Sequence, residues 1–420
     1  MRIQLAPGER SHTADDGALV VPWIDSEVEP LRRVLLHRPG RELTRLTPSN
    51  KDALLFDELP WVERAQEEHD EFASLLRSRG TEVHYLADLL ADVLEDPAAR
   101  ADLLSRSLAT AELAPTLEHE LGDWLGSLPS EALVEWLIGG ITFSELPVGA
   151  ETLSARIARD EDFVLPPLPN QLFTRDSSVW IGDSVRVSSM AHPARRREAL
   201  HLDAIYRHHP LFAATAEPAP GVEAEISIEG GDILVVGNGC ILVGVGDRTR
   251  AAAVEQLAGD LFLRGAAREV VAVQLPVTRA VMHLDTVLTM VDHDAFTRYP
   301  AVANGAGAYR LRPGRSSTLQ VEKLPDLFTA LAEALEVPRV RVIATGGDAA
   351  AAEREQWDDG NNVLAIAPGV VMGYERNVAT NRRLTEAGIE VLTIPGSELG
   401  RGRGGARCMS CPIERERSQV

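Results

Sequence analysis

Gly231-Asp232-Ile233-Leu234-Val235-Val236-Gly237-Asn238-Gly239-Cys240-Ile241-Leu242-Val243-Gly244 sets two apolar runs on either side of a Gly-Asn-Gly turn. Apolar runs of this length, bounded by turn residues, read as buried strands. The sequence then enters a predicted helix near Thr249. The same plan recurs in both directions. Upstream, Asp176-Ser-Ser-Val179-Trp-Ile-Gly-Asp183 leads into Ser184–Ser188 and an Arg/Ala-rich helix from about Pro193. Downstream, Asp285-Thr286-Val287-Leu-Thr-Met-Val291 turns at Asp292-His-Asp294. Asn361-Asn362-Val363-Leu-Ala-Ile366 turns at Pro368-Gly369, returns through Val370–Tyr374 and leads to a helix over Ala379–Ala387. Leu31–Gly40 offers a fifth copy. Repeats of this size predict a ring of equivalent α/β units.

The gap between the first and second copies has another texture. From Leu86 to Asp160 the chain is Leu/Ala/Glu-rich with helical spacing, as in Leu117-Leu121-Trp124-Leu125-Leu128. Pro97, Pro115 and Pro129 punctuate it near helix starts. The expected organisation is a first part of the α/β ring with an N-terminal tail over 1–85, an inserted helical bundle over 86–160, and the rest of the ring over 161–420. The alternative makes these helices part of the main domain.

In each strand pair a polar residue precedes the first strand: Asp176, Asp232, Asp285 and Asn361. In a ring those ends converge on one mouth, where a rigid scaffold presents functional groups. A lone Asp in such a place is otherwise a turn or cap residue. His283 and Asp285 lie two apart and face one side if the strand has begun. They read as a general acid/base with its carboxylate, or as a satisfied structural pair. Glu229, ahead of Gly230-Gly231, is a second partner for the histidine.

The three cysteines, Cys240, Cys408 and Cys411, are too few and odd for a disulfide framework and point to a reducing cytosol. Cys240 lies inside an apolar strand and reads as core. Cys408-Met-Ser-Cys411-Pro412 has redox or half-zinc spacing, but no second pair completes a metal site. A nucleophile at Cys408, after the glycine-rich Arg401-Gly-Arg403-Gly-Gly, fits better. That loop reads as a closing segment in which Arg403 clamps a carboxylate, with Arg248 as the opposing half. Carboxylates repel a thiolate. A thiol among Asp and Glu therefore makes sense with a cationic substrate, and a guanidinium is the obvious candidate.

The chain has 420 residues, 45% hydrophobic, with a net charge of −21. Such a surface disfavours nucleic acid and anionic membranes, and either draws a cation inward or only keeps the protein soluble. No apolar run approaches a membrane span. Met1–Gly17 lacks the apolar core of a secretory signal and reads as a polar tail.

These motifs together resemble the bacterial arginine deiminases of the guanidine-group-modifying (pentein) superfamily. The matching stretches are Ser26-Glu27-Val28 with Leu31–Gly40, Pro169-Asn170 with Phe173–Asp176, Glu229–Asp232, Gly246–Thr249, His283–Thr286, and Gly402–Gly405 with Cys408–Pro412. The resemblance implies a fivefold pseudosymmetric α/β propeller with an inserted α-helical bundle. It implies Cys408 as nucleophile, His283 as acid/base, Asp176 and Asp285 gripping the guanidinium, and Glu229 supporting His283. Asn170, Phe173, Arg248 and Arg403 would hold the rest of L-arginine, hydrolysed to L-citrulline and ammonia through a Cys408 thiouronium. Arg407 stands where some relatives have histidine, which leaves the loop's gating contacts open. No cofactor and no metal are expected, nor a nucleic-acid or membrane partner; a cytoplasmic homo-oligomer, dimer or tetramer, is. Dimethylarginine hydrolase, agmatine deiminase, amidinotransferase and a non-catalytic arginine-binding protein are the alternatives.

Overall fold

A computed structural model describes residues 22–111, 113–147, 152–215, 226–303, 307–315 and 318–418. The N-terminal tail Met1–Gly17 lies outside the described residues. The Gly-Asn-Gly turn forms as expected. Ile233–Gly237 and Cys240–Val245 pair antiparallel, with Ile233 opposite Val243. Gly237, Asn238 and Gly239 all have positive φ, the conformation such a tight turn needs. After the helix Ala251–Leu263 the chain returns as Glu269–Gln274, parallel to Cys240–Val245.

This antiparallel-then-parallel arrangement recurs. Ala295–Arg298 lies between Met290–Asp292 and Arg341–Ala344. Val370–Tyr374 lies between Leu364–Ala367 and Glu390–Ile394. Leu31–Leu36 lies between Cys411–Arg415 and Glu82–Tyr85. The first and last strands of the described chain therefore share a sheet, which ties the nucleophile's segment to the N-terminal strand. Ser178–Ile181 and Ser184–Val187 form a separate two-stranded hairpin, backed by the helix Arg196–His208. A further hairpin, Ala308–Pro313 with Leu319–Leu324, extends the central sheet to five strands.

Two local expectations change. The strand expected from Asp285 begins only at Met290, because Leu284–Thr286 form a 3-10 turn. His283 and Asp285 are thus placed by a turn and not by strand alternation. The Cys411-Pro412 end of the Cys-x-x-Cys stretch, given no strand in the sequence reading, opens the largely buried strand Cys411–Arg415.

Helices Leu86–Val93, Pro97–Leu108, Pro115–Gly126 and Ser130–Gly139 follow the proline punctuation. Pro97 and Pro115 sit in first turns, where a missing N–H costs nothing. Asp96 caps its helix through the Ala98 and Ala99 amides at 2.7 and 2.9 Å. Leu90, Leu103, Leu121 and Leu137 on these helices belong to the same apolar cluster as Trp180, Tyr206 and Val243. The helical segment shares one core with the sheets that carry the site. Among the described residues no helix is long and apolar enough to cross a membrane.

Candidate active site

Short irregular pieces at the ends of these sheets bring the site together. Asp176 lies in the single turn Thr174–Ser177 before its hairpin. Glu229 precedes the 3-10 turn Gly230–Asp232, and His283 precedes Leu284–Thr286. Cys408 follows the loop after Leu399–Gly402. All are buried; Cys408 is 4% exposed, Asp176 3%, His283 2%, and Glu229 and Asp285 0%.

Cys408 Sγ lies 3.7 Å from Asp285 Oδ2. Its backbone N–H donates to Asn362 Oδ1 at 2.8 Å, and Asn362 Nδ2 donates to the Asp285 carbonyl at 3.3 Å. His283 Nε2 is 2.8 Å from Glu229 Oε2, and Nδ1 is 3.5 Å from Asp176 Oδ1. A cysteine, a histidine and three carboxylates from four separate stretches therefore come together in one site.

Two buried arginines hold the two aspartates. Arg195 donates to Asp176 Oδ2 at 2.7 Å and also engages Glu198 and the Asn170 carbonyl. Arg407 donates to Asp285 Oδ2 at 2.7 Å, to both Glu27 oxygens at 3.2 Å, and to the Ile233 carbonyl at 2.9 Å. Each aspartate keeps its other oxygen, Asp176 Oδ1 and Asp285 Oδ1, buried without a hydrogen-bond partner. Such oxygens are costly unless a donor meets them. A planar cation with several N–H groups supplies those donors.

The electrostatics follow the same layout. Burial pushes the Cys408 thiol well above its usual range, and Asp285, Asp176 and Asp359 push it further; Arg407 opposes them. Burial works against charge on His283, but Asp176, Glu229 and Asp232 outweigh it and lift its pKa to about 9. Burial likewise opposes the Glu229 carboxylate, yet His283, Arg248 and Arg195 draw it down to about 2. At neutral pH the unliganded site therefore holds a thiol beside an imidazolium.

The other expected residues line the same cavity. Asn170 donates from Nδ2 to the Leu54 carbonyl at 2.7 Å. Phe173 stacks on Phe56 with centroids 6.4 Å apart. Gly402 lies against both rings; a Cβ there would come within 2.5 Å of Phe56 and 2.9 Å of Phe173. Arg248 Nη1 is 3.5 Å from Glu229 Oε2. Arg403 has a left-handed backbone, and its guanidinium lies 3.7 Å over the Trp357 ring. The cavity bounded by Asn170, Phe173, Asp176, His283, Arg403 and Cys408 encloses about 10 Å³, room for about one water.

Two of the strand-leading residues play other parts. Asp232 accepts the Leu284 N–H at 2.9 Å and so fixes the turn that sets His283; burial lifts its pKa to about 7. Asn361 bonds Thr345 and Thr289 inside the fold, while its neighbour Asn362 reaches Cys408. Arg407 is a buried strut between Asp285, Glu27 and the Ile233 carbonyl. Arg195, Glu27 and Asn362 carried no assigned role in the sequence, although Glu27 and Asn362 lay in stretches that had been singled out.

Gly231 makes the close approach possible. A Cβ there would stand 2.6 Å from Asp176 Oδ1 and 2.8 Å from the His283 ring. Gly231→Ala is expected to lower kcat about tenfold by displacing both groups. Steady-state assay beside far-ultraviolet circular dichroism checks this; unchanged kcat contradicts it. Among the described residues no group of His, Cys, Asp and Glu is arranged to hold a metal ion.

Comparison with known proteins points to one family. A family model described as arginine deiminase matches residues 52–415. The arginine deiminase of Rhodococcus opacus (strain B4) is 52% identical over 395 residues, covering 93% of this chain and 97% of the relative. That of Mycolicibacterium gilvum (strain PYR-GCK) is 50% identical over 395 residues, covering 93% and 98%. Among solved structures, the amidinotransferase SxtG from Microseira wollei aligns with a TM-score of 0.55 at 14% identity, over 96% of this chain and 99% of that one. DDAH from Pseudomonas aeruginosa aligns at 0.51 and 15%, over 91% and 99%. At these identities the likeness is one of fold, an α/β pentein fold.

Proposed function

The chain belongs to the arginine deiminase family, and on that footing we propose that it hydrolyses L-arginine to L-citrulline and ammonia through a covalent intermediate on Cys408. One observation carries this: the unpartnered oxygens of Asp176 and Asp285 lie in the same buried site as the thiol and the His283–Glu229 pair. Asp176 and Asp285 grip the guanidinium by charge-assisted hydrogen bonds and turn its central carbon toward Sγ. The cation offsets the carboxylates, so Cys408 loses its proton to solvent when the substrate is bound. The thiolate adds to the guanidinium carbon. The imidazolium of His283 protonates the departing nitrogen, the C–N bond breaks, and ammonia leaves a thiouronium on Sγ. Neutral His283 then takes a proton from water as its oxygen attacks. Collapse of that adduct breaks the C–S bond, its hydroxyl proton passes to solvent, and citrulline and thiolate are released. Glu229 holds His283 in place throughout.

Asn170, Phe173, Arg248 and Arg403 hold the methylenes and the amino-acid end. Arg403→Ala is expected to raise the KM for arginine about 10- to 100-fold, the worth of one charged hydrogen bond, and to leave agmatine, which has no carboxylate, nearly unaffected. Equal losses on both contradict the assignment.

The same proposal takes the repeated sheets as a fivefold ring, built from 1–85 and 161–420, with 86–160 as an inserted helical bundle. It places the protein in the cytoplasm as a dimer or tetramer, without cofactor, metal, nucleic-acid or membrane partner. Citrulline formation by the purified chain from arginine, set against agmatine and dimethylarginine, tests the substrate. Preference for either of the others overturns it.

A further inference from the structure

A chamber of about 460 Å³ opens beside the catalytic cavity. Leu55, Arg248, Arg279 and Met282 line both spaces and form the partition between them. The inner space is far too small for an amino acid, so the partition must part for any substrate to enter. Its closure depends on Arg279. Nε and Nη2 of Arg279 donate to the two oxygens of Asp57 at 3.1 and 2.9 Å, a two-bond fork. Nη2 also donates to the Leu55 carbonyl at 3.2 Å. Leu55 has φ +60, a left-handed conformation that is strained for a non-glycine residue. The segment is also held within its own turn, where the Leu55 and Phe56 amides donate to the Asp52 and Lys51 carbonyls at 3.1 and 2.9 Å, and at its inner side, where the Leu54 carbonyl accepts Asn170 and Phe56 rests on Phe173.

We infer that Arg279 is a specificity-determining residue for entry: it reads the carboxylate of the incoming amino acid, with Asp57 occupying its fork until the substrate displaces it. This deepens the function proposed above and rests on it for the identity of the substrate. The exchange replaces one carboxylate by another, so the guanidinium is never left unpaired. Once Asp57 is displaced, Arg279 keeps only its bond to the Leu55 carbonyl and its contact with Met282, and the left-handed Leu55 backbone relaxes away from the partition more readily. Asp52 and Asp247 on the chamber wall favour the guanidinium end of the same molecule. The cation enters first and the carboxylate trails in the chamber, where Arg279 stands. A guanidine without a carboxylate cannot make the exchange.

Two variants test this with opposite signatures. Without substrate, Asp57→Asn and Arg279→Gln each break the latch, so alkylation of Cys408 by iodoacetamide, located by mass spectrometry, is expected to accelerate at least about threefold over wild type. In turnover they diverge. Arg279→Gln lowers kcat/KM for arginine about tenfold more than for agmatine. Asp57→Asn raises the agmatine-to-arginine ratio by freeing entry from the carboxylate. Unchanged alkylation in both variants overturns the latch. Equal losses on arginine and agmatine in Arg279→Gln overturn the carboxylate reading. A wild-type chain that makes no citrulline from arginine removes the proposed substrate instead, and the alkylation comparison still decides the latch.

Discussion

Cys408→Ala is expected to abolish citrulline formation, to below roughly 10⁻⁴ of wild type, the scale seen when a covalent nucleophile is removed. The fold stays intact, since Cys408 contributes one small side chain to a cluster that also holds Leu364, Met372 and Met409 and its anchoring bond to Asn362 uses the backbone. Cys411→Ala is the control. Its sulfur packs at Ser178 and is not among the groups that line the cavity. It is expected to keep most of its activity. Stopped assays of citrulline with thermal unfolding check both, and equal inactivation of the two, with folding preserved, restores a redox pair as the explanation.

Asp285→Asn is expected to lower kcat/KM about 10²- to 10³-fold, as loss of one preorganised electrostatic partner does. The same substitution moves the free thiol the other way. Burial raises the Cys408 pKa first, and Asp285 is the leading charge that raises it further. Removing that charge lowers the pKa, so the unliganded variant is alkylated faster than wild type at a given pH while its turnover collapses. Arg407 keeps its bonds to Glu27 and Ile233 and still favours the thiolate. Alkylation rates against pH, run beside steady-state kinetics, separate the effects. A variant slower in both contradicts the assigned role of Asp285.

The parts legible in the sequence are those governed by local chemistry. Apolar runs either side of Gly237-Asn238-Gly239 announce a strand pair because only the turn and the burial are needed to form it. Pro97 and Pro115 mark helix starts because their missing N–H is harmless there. What was not legible depends on distant partners. Cys411–Arg415 mixes apolar and charged residues and becomes a strand only against Leu31–Leu36, at the other end of the chain. His283 and Asp285 suggested strand alternation, but Asp232 captures the Leu284 amide and forms a 3-10 turn. The site's acids and thiol stood out by their motifs. The pairing roles of Arg195, Arg407 and Glu27 did not, since charged side chains are ordinarily exposed and nothing local marks these as buried. Their role exists only after folding has brought Asp176 and Asp285 to them.

The most direct test of substrate-assisted ionisation follows the thiolate itself. Its far-ultraviolet absorbance is measured against pH in the free protein and with a saturating, unreactive guanidinium ligand, using Cys408→Ala as blank. The expected result is a thiol in the free protein at neutral pH and a thiolate once the cation is bound. The same low pKa in both states contradicts it.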